Sequence, residues 1–185
     1  MTIQVLFVQG AGKDAHDRWD SKLAASLAKT LGDGYAVRFP RMPGEADPKF
    51  PAWQAALARE FKTLADGDIL VGHSVGATTL LHALAAEAPS FMPGALILLA
   101  PPFIGEAGWP SPDIPERHDL AQRMPKSMPV RLYHGDDDAT VPPAHARLYA
   151  QALPQAQIAM VPGGDHQFHD DLSRVARDIR ALIAH

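Results

Sequence analysis

Short apolar runs alternate along this chain with longer stretches whose apolar residues recur every three or four positions. Ile3–Val8, Tyr35–Phe39, Asp68–Val71, Ala95–Leu99, Val130–Tyr133 and Gln157–Val161 read as six strands. Between them, helical spacing places Trp19, Leu23, Leu27 and Leu31 on one face of a helix over Asp17–Thr30. Trp53, Leu57, Phe61 and Leu64 form the face of a second helix over Pro51–Leu64. Further helices are expected over Val75–Ala86, Pro143–Ala152 and Leu172–Ile183. Strands apolar on both faces, alternating with helices, predict a doubly wound α/β domain. Its six-stranded, mostly parallel sheet would carry helices on both faces. One stretch, 103–128, breaks the alternation. It is rich in proline, holds Trp109 and a short amphipathic piece "ERHDLAQRM", and reads as a cap-like insertion between the fourth and fifth strands.

At 185 residues the chain is expected to form a single domain over 1–185. A net charge of −4 gives neither a basic footprint for nucleic acid nor a polybasic patch for a membrane. Cysteine is absent, which excludes disulfides, thiol nucleophiles and cysteine-based zinc sites. The opening "MTIQVLFVQGAG" has an apolar run too short for a signal peptide or a spanning helix, so a cytoplasmic location is expected.

Candidate chemistry sits where the third strand meets its helix. In "LVGHSVGA" a serine, Ser74, lies between Gly72 and Gly76. A tight turn could place it there by accident. A nucleophile elbow requires it, because the serine oxygen must stand free at the carboxyl edge of the sheet with only small residues around it. A serine hydroxyl needs a base, and the base needs an orienting acid. On this architecture both should follow at the ends of later strands, acid before histidine. After the fifth strand stands "HGDDDATVP", with Asp136, Asp137 and Asp138; after the sixth stands "PGGDHQFHDD", with His166 and His169. The remaining histidines, His185 among them, read as structural or surface residues, with His73 supporting the elbow from behind. The loop after the first strand, "GAGKDA", matches neither the dinucleotide nor the P-loop pattern. The density of Asp and His at 165–170 finds no upstream ligand set, so no metal and no cofactor are expected.

The segments "HDRW", "PRMPG…W", "LVGHSVGA", "HGDDDATVP" and "GGDHQF" together resemble the α/β-hydrolases. More narrowly, they resemble the small, nearly lid-free serine hydrolases of the retinoblastoma-binding-protein-9-like and YdeN-like family. The resemblance spans almost the whole chain and implies a parallel strand order of 4-3-5-6-7-8, the first two strands of larger relatives being missing. The family pattern G-x-x-D-x-x-V-P, laid on Gly135 to Pro142, selects Asp138 as the acid and leaves Asp136 and Asp137 as turn carboxylates. The pattern Gly-Gly-x-His selects His166. The oxyanion amides implied are those of Val75, beside the nucleophile, and Ala11, in the first loop, where Gln9 replaces the histidine frequent in relatives.

The expected activity is therefore hydrolysis of a small-molecule carboxylic ester through an acyl-enzyme. Ser74, Asp138 and His166 would be the triad, and Phe103, Ile104 and Trp109 would line the acyl pocket. The expected partner is a small acyl substrate, not nucleic acid or a membrane. The same triad also serves thioester, amide and C–C hydrolysis, and the scaffold can serve as a binding module without catalysis.

Overall fold

The computed structural model of this chain describes residues 2–183, so His185 lies outside the described residues. The strands are β1 Ile3–Val8, β2 Tyr35–Arg38, β3 Ile69–His73, β4 Ala95–Leu99, β5 Val130–Gly135 and β6 Gln157–Val161. They form one sheet in the order β2-β1-β3-β4-β5-β6, and every pairing is parallel. This is the order the family resemblance implies.

The helices are α1 Ser21–Leu31, α2 Phe50–Phe61, α3 Val75–Ala86, α4 Leu120–Arg123, α5 Ala144–Ala152 and α6 Ser173–Ile183. Side chains alternate across the pleat, so each central strand feeds two cores. Val5 and Phe7 of β1 join Val71 of β3 and Ile97 of β4 beneath α1 and α6, with Leu23, Leu27 and Ile179. Leu6 and Val8 join Leu70 and Leu98 on the other face, with Trp53, Leu57, Leu81 and Tyr149 from α2, α3 and α5. The edge strands β2 and β6 are only partly buried.

The start of α1 departs from the sequence expectation. Residues Ala15–Asp20 form a π-helix, and the α-helix begins at Ser21. The wider π turn rotates Trp19 off the apolar stripe, leaving it 49% exposed, and turns Asp20 inward to 1% exposure. Leu23, Leu27 and Leu31 keep their place in the core. The insertion 103–128 is tied down at several points. Ile104 and Trp109 form an isolated bridge, and Leu120, Met124 and Met128 are buried in the α3 face of the core.

Candidate active site

Ser74 stands between β3 and α3 with φ 52° and ψ −129°, a conformation that costs a non-glycine residue on the order of 1–3 kcal/mol. The fold holds it there. The Ser74 amide donates to Leu99 O at 2.8 Å, and α3 begins at the next residue. The sharp turn brings α3 against the end of β1, so a Cβ on Gly76 would lie 1.9 Å from Gln9 O. Glycine at 76 is thus required by close approach of two backbones. Val75, as the first residue of α3, has no intrahelical acceptor for its N–H, and the helix dipole adds positive potential at that point.

The loops after β5 and β6 are equally close. A Cβ on Gly135 would fall 2.0 Å from Gly164 O. Asp137 N donates to Gly164 O at 3.1 Å, and Gly163 N donates to Asp136 Oδ1 at 2.6 Å. This zipper sets Asp138 against His166. Asp138 is 4% exposed. Its Oδ1 accepts from the amides of Thr140 and Val141, each at 2.8 Å, and its Oδ2 lies 2.8 Å from His166 Nδ1. His134 Nε2 approaches Oδ2 at 3.4 Å while donating to Val141 O at 2.8 Å. Burial would push the Asp138 carboxyl up, but the His134 and His166 imidazoles and the backbone donors outweigh it. The carboxyl is held far below the usual range.

With Nδ1 donating to Asp138, Nε2 is the His166 nitrogen left to accept a proton. The His166 ring lies 4.8 Å, centroid to centroid, from the ring of His73, the neighbour of Ser74. Among the described residues no hydrogen bond joins Ser74 Oγ to His166. His169, in contrast, has a side chain 68% exposed, and its Nε2 contacts Gly163 O at 2.8 Å. Among the described residues no group of three or more potential ligands is arranged to hold a metal ion.

The loop after β1 passes beside the elbow: a Cβ on Gly10 would lie 3.1 Å from Ser74 Cβ. Two clamps that the sequence reading missed hold this loop. Gln9, fully buried, donates through Nε2 to Glu45 and accepts from Met42 N at 3.0 Å. Glu45 also accepts from His16 N at 2.9 Å, and its carbonyl accepts from Gly12 N at 2.6 Å. The second clamp is Asp20, whose Oδ2 accepts from Gly10 N. Ala11 follows with an N–H that has no protein acceptor among the described residues.

A cavity of about 260 Å³ opens beside Val75, lined by Trp53, Thr78, Thr79, Pro102, Ile104 and Trp109. Phe103 does not line it. Its ring packs edge-on against Tyr149 at 5.1 Å, and its amide donates to His145 Nδ1 at 2.8 Å.

A six-stranded parallel sheet with a serine elbow at the carboxyl end of β3 defines the α/β-hydrolase class. The model of the serine hydrolase family matches residues 5–172, and the chain belongs to that family; it is a serine hydrolase. Solved structures share the fold. The ydeN gene product of B. subtilis is 22% identical over 100% of both chains, with a TM-score of 0.79. A monoacylglycerol lipase of Paleococcus ferrophilus is 18% identical, covering 100% of this chain and 96% of its own, with a TM-score of 0.69. Est1E of Butyrivibrio proteoclasticus, with ferulic acid bound, is 18% identical over 98% of this chain and 88% of its own, with a TM-score of 0.72. No curated protein matches the chain. Among the described residues no helix is long and apolar enough to cross a membrane.

Proposed function

We propose that the chain hydrolyses small carboxylic esters, with Ser74 as nucleophile, His166 as general base and Asp138 as its orienting acid. The observation that carries this reading is the 2.8 Å contact of His166 Nδ1 with a buried, ionised Asp138, one ring away from the strained elbow at Ser74. Ser74 Oγ adds to the ester carbonyl while its proton passes to His166 Nε2. The tetrahedral oxyanion is held by the amides of Val75 and Ala11. The C–O bond breaks, the alcohol leaves with the proton from His166, and water repeats the sequence to release the acid. The acyl group lies in the cavity beside Val75, against Ile104 and Trp109. Its size suits a short or single-ring acyl chain. The lipase and the ferulate-bound protein that share the fold are in keeping with ester chemistry.

A fluorophosphonate probe tests the reading. Labelling at Ser74, lost in Ser74→Ala and accompanied by turnover of chromogenic esters, is the expected result. A folded protein inert to the probe and to a panel of acyl chain lengths would remove it.

A further inference from the structure

His73 immediately precedes Ser74 and is 1% exposed. Both of its ring nitrogens face acceptors. Nδ1 lies 2.9 Å from Oδ1 and 3.0 Å from Oδ2 of Asp20. Nε2 lies 2.9 Å from the carbonyl oxygen of His166. A carbonyl has no proton to give, so Nε2 must carry one. Asp20 already accepts from Gly10 N and faces Gln167 Nε2 at 3.4 Å, surroundings that suit a carboxylate and not a carboxylic acid. Nδ1 therefore carries a proton as well.

We propose that His73 is a doubly protonated imidazolium, ion-paired with Asp20, and that its two N–H groups make it a positioning residue behind Ser74. One N–H reaches, through Asp20, the Gly10–Ala11 loop; the other holds the main chain of His166. A single buried cation thus ties the loop that carries the oxyanion amide to the loop that carries the base. The geometry stands by itself, whereas the catalytic consequence rests on the proposed ester hydrolysis.

The groups facing His73 are Asp20 from the π-helical turn, the His166 ring, Asp138 beyond it, and the Gln167 amide beside Asp20. Burial alone would push the imidazole down. The charge and hydrogen bond of Asp20, the His166 carbonyl and the charge of Asp138 outweigh burial and hold it above its ordinary value. Asp20 is held below its own, burial being overcome by His73, Gly10 N and Gln167. When His73 loses a proton at alkaline pH, Nδ1 keeps its hydrogen on ionised Asp20. Nε2 then turns a lone pair toward the His166 carbonyl, and that tie is lost. Asp20→Asn behaves differently. Its oxygen still accepts from Gly10 N, its amide donates to Nδ1, and a neutral His73 keeps Nε2–H on His166. The connections among Gly10, His73 and His166 are made with one proton fewer, while Gln167, whose Nε2 faces Asp20 Oδ1, must present its amide oxygen to the new NH2.

The experiment has a spectroscopic arm and a kinetic arm. Long-range ¹H–¹⁵N correlation spectra of the whole protein should show both His73 nitrogens protonated at about pH 7.5, and only one in Asp20→Asn. An unprotonated His73 nitrogen in the parent at that pH overturns the proposal. In ester turnover, kcat/KM of the parent should fall on an alkaline limb that Asp20→Asn lacks. His73→Leu should lower kcat about 10- to 100-fold with KM within about threefold. A surviving alkaline limb in Asp20→Asn, or an unchanged kcat in a folded His73→Leu, removes the positioning role. The spectrum needs no substrate and no variant, so it decides the charge even where His73→Leu does not fold. Imidazolium signals without labelling at Ser74 would sink the ester reading and leave the ion pair standing.

Discussion

Nδ1 of His166 lies 2.8 Å from Oδ2 of Asp138, while the amides of Thr140 and Val141 hold the other carboxylate oxygen. Of the three consecutive aspartates, Asp138 is the one paired with an imidazole. Asp136 spends its carboxylate on Gly163 N, and Asp137 is exposed. Asp138→Asn should therefore reduce ester turnover by on the order of 10³- to 10⁴-fold, because the amide favours the wrong tautomer. Asp136→Asn and Asp137→Asn should cost less than about tenfold. Steady-state kinetics of the three variants settle the assignment, and a crippled Asp136→Asn would overturn it.

Ser74→Ala should lower kcat by about 10⁴-fold or more. It should also leave the protein at least as stable, since the elbow tolerates alanine no worse than serine at φ 52°. The two measurements are turnover and chemical denaturation. A variant with near-parental rates would eliminate the nucleophile.

The six strands were legible because each is a short apolar run bounded by breakers, as Tyr35–Arg38 is by Gly34 and Pro40. Their order was not legible from periodicity; it came from resemblance, because nothing local tells β1 to lie between β2 and β3. The turn at Ala15–Asp20 was misread because Trp19 fits a helical stripe, and the pull of Gly10 N on Asp20 is invisible without the fold. That the acidic run 136–138 would lie beside the histidine loop was legible because both follow neighbouring strands, whereas Asp138 and His166 in particular came from the family resemblance. The Gln9–Glu45 and Asp20–His73 clamps were not legible. Their partners lie 36 and 53 residues apart, and single polar residues carry no period.

Gly76→Ala should destabilise the protein by roughly 3 kcal/mol, since its Cβ would lie 1.9 Å from a backbone oxygen that cannot rotate away. Urea denaturation checks this. A loss below about 0.5 kcal/mol would mean that α3 can slide away from β1 at little cost.

His82 on α3 is 2% exposed, and its Nδ1 has no hydrogen-bond partner. Burial first, and the Arg117 charge second, push its pKa down to about 4 from 6.5. The unfolded chain therefore takes up the proton first. Stability is intact above about pH 6.5 and declines as pH falls toward 4, by roughly 3 kcal/mol for this group. His82→Leu should flatten that part of the stability curve. Parallel curves for parent and variant between about pH 7 and 4.5 would show that His82 is not the group responsible.

The choice between the two histidines of the last loop is the sharpest test of the site. His166 pairs with Asp138 and stands one ring from the elbow, whereas His169 points into solvent and contacts Gly163 O. A base must be neutral to accept the serine proton, so kcat/KM should show an acid limb that disappears with the base. His166→Gln should abolish both the activity and that acid limb. His169→Gln should leave both nearly unchanged, because the residue's backbone, at φ 53°, is held by Asp165 Oδ1 on its amide at 2.9 Å and not by its ring alone. The pH–rate curves of the two variants decide the matter. If His166→Gln keeps its activity and His169→Gln loses it, the loop after β6 must close over the site in a different register during turnover, and the Asp138–His166 pair would be a resting contact only.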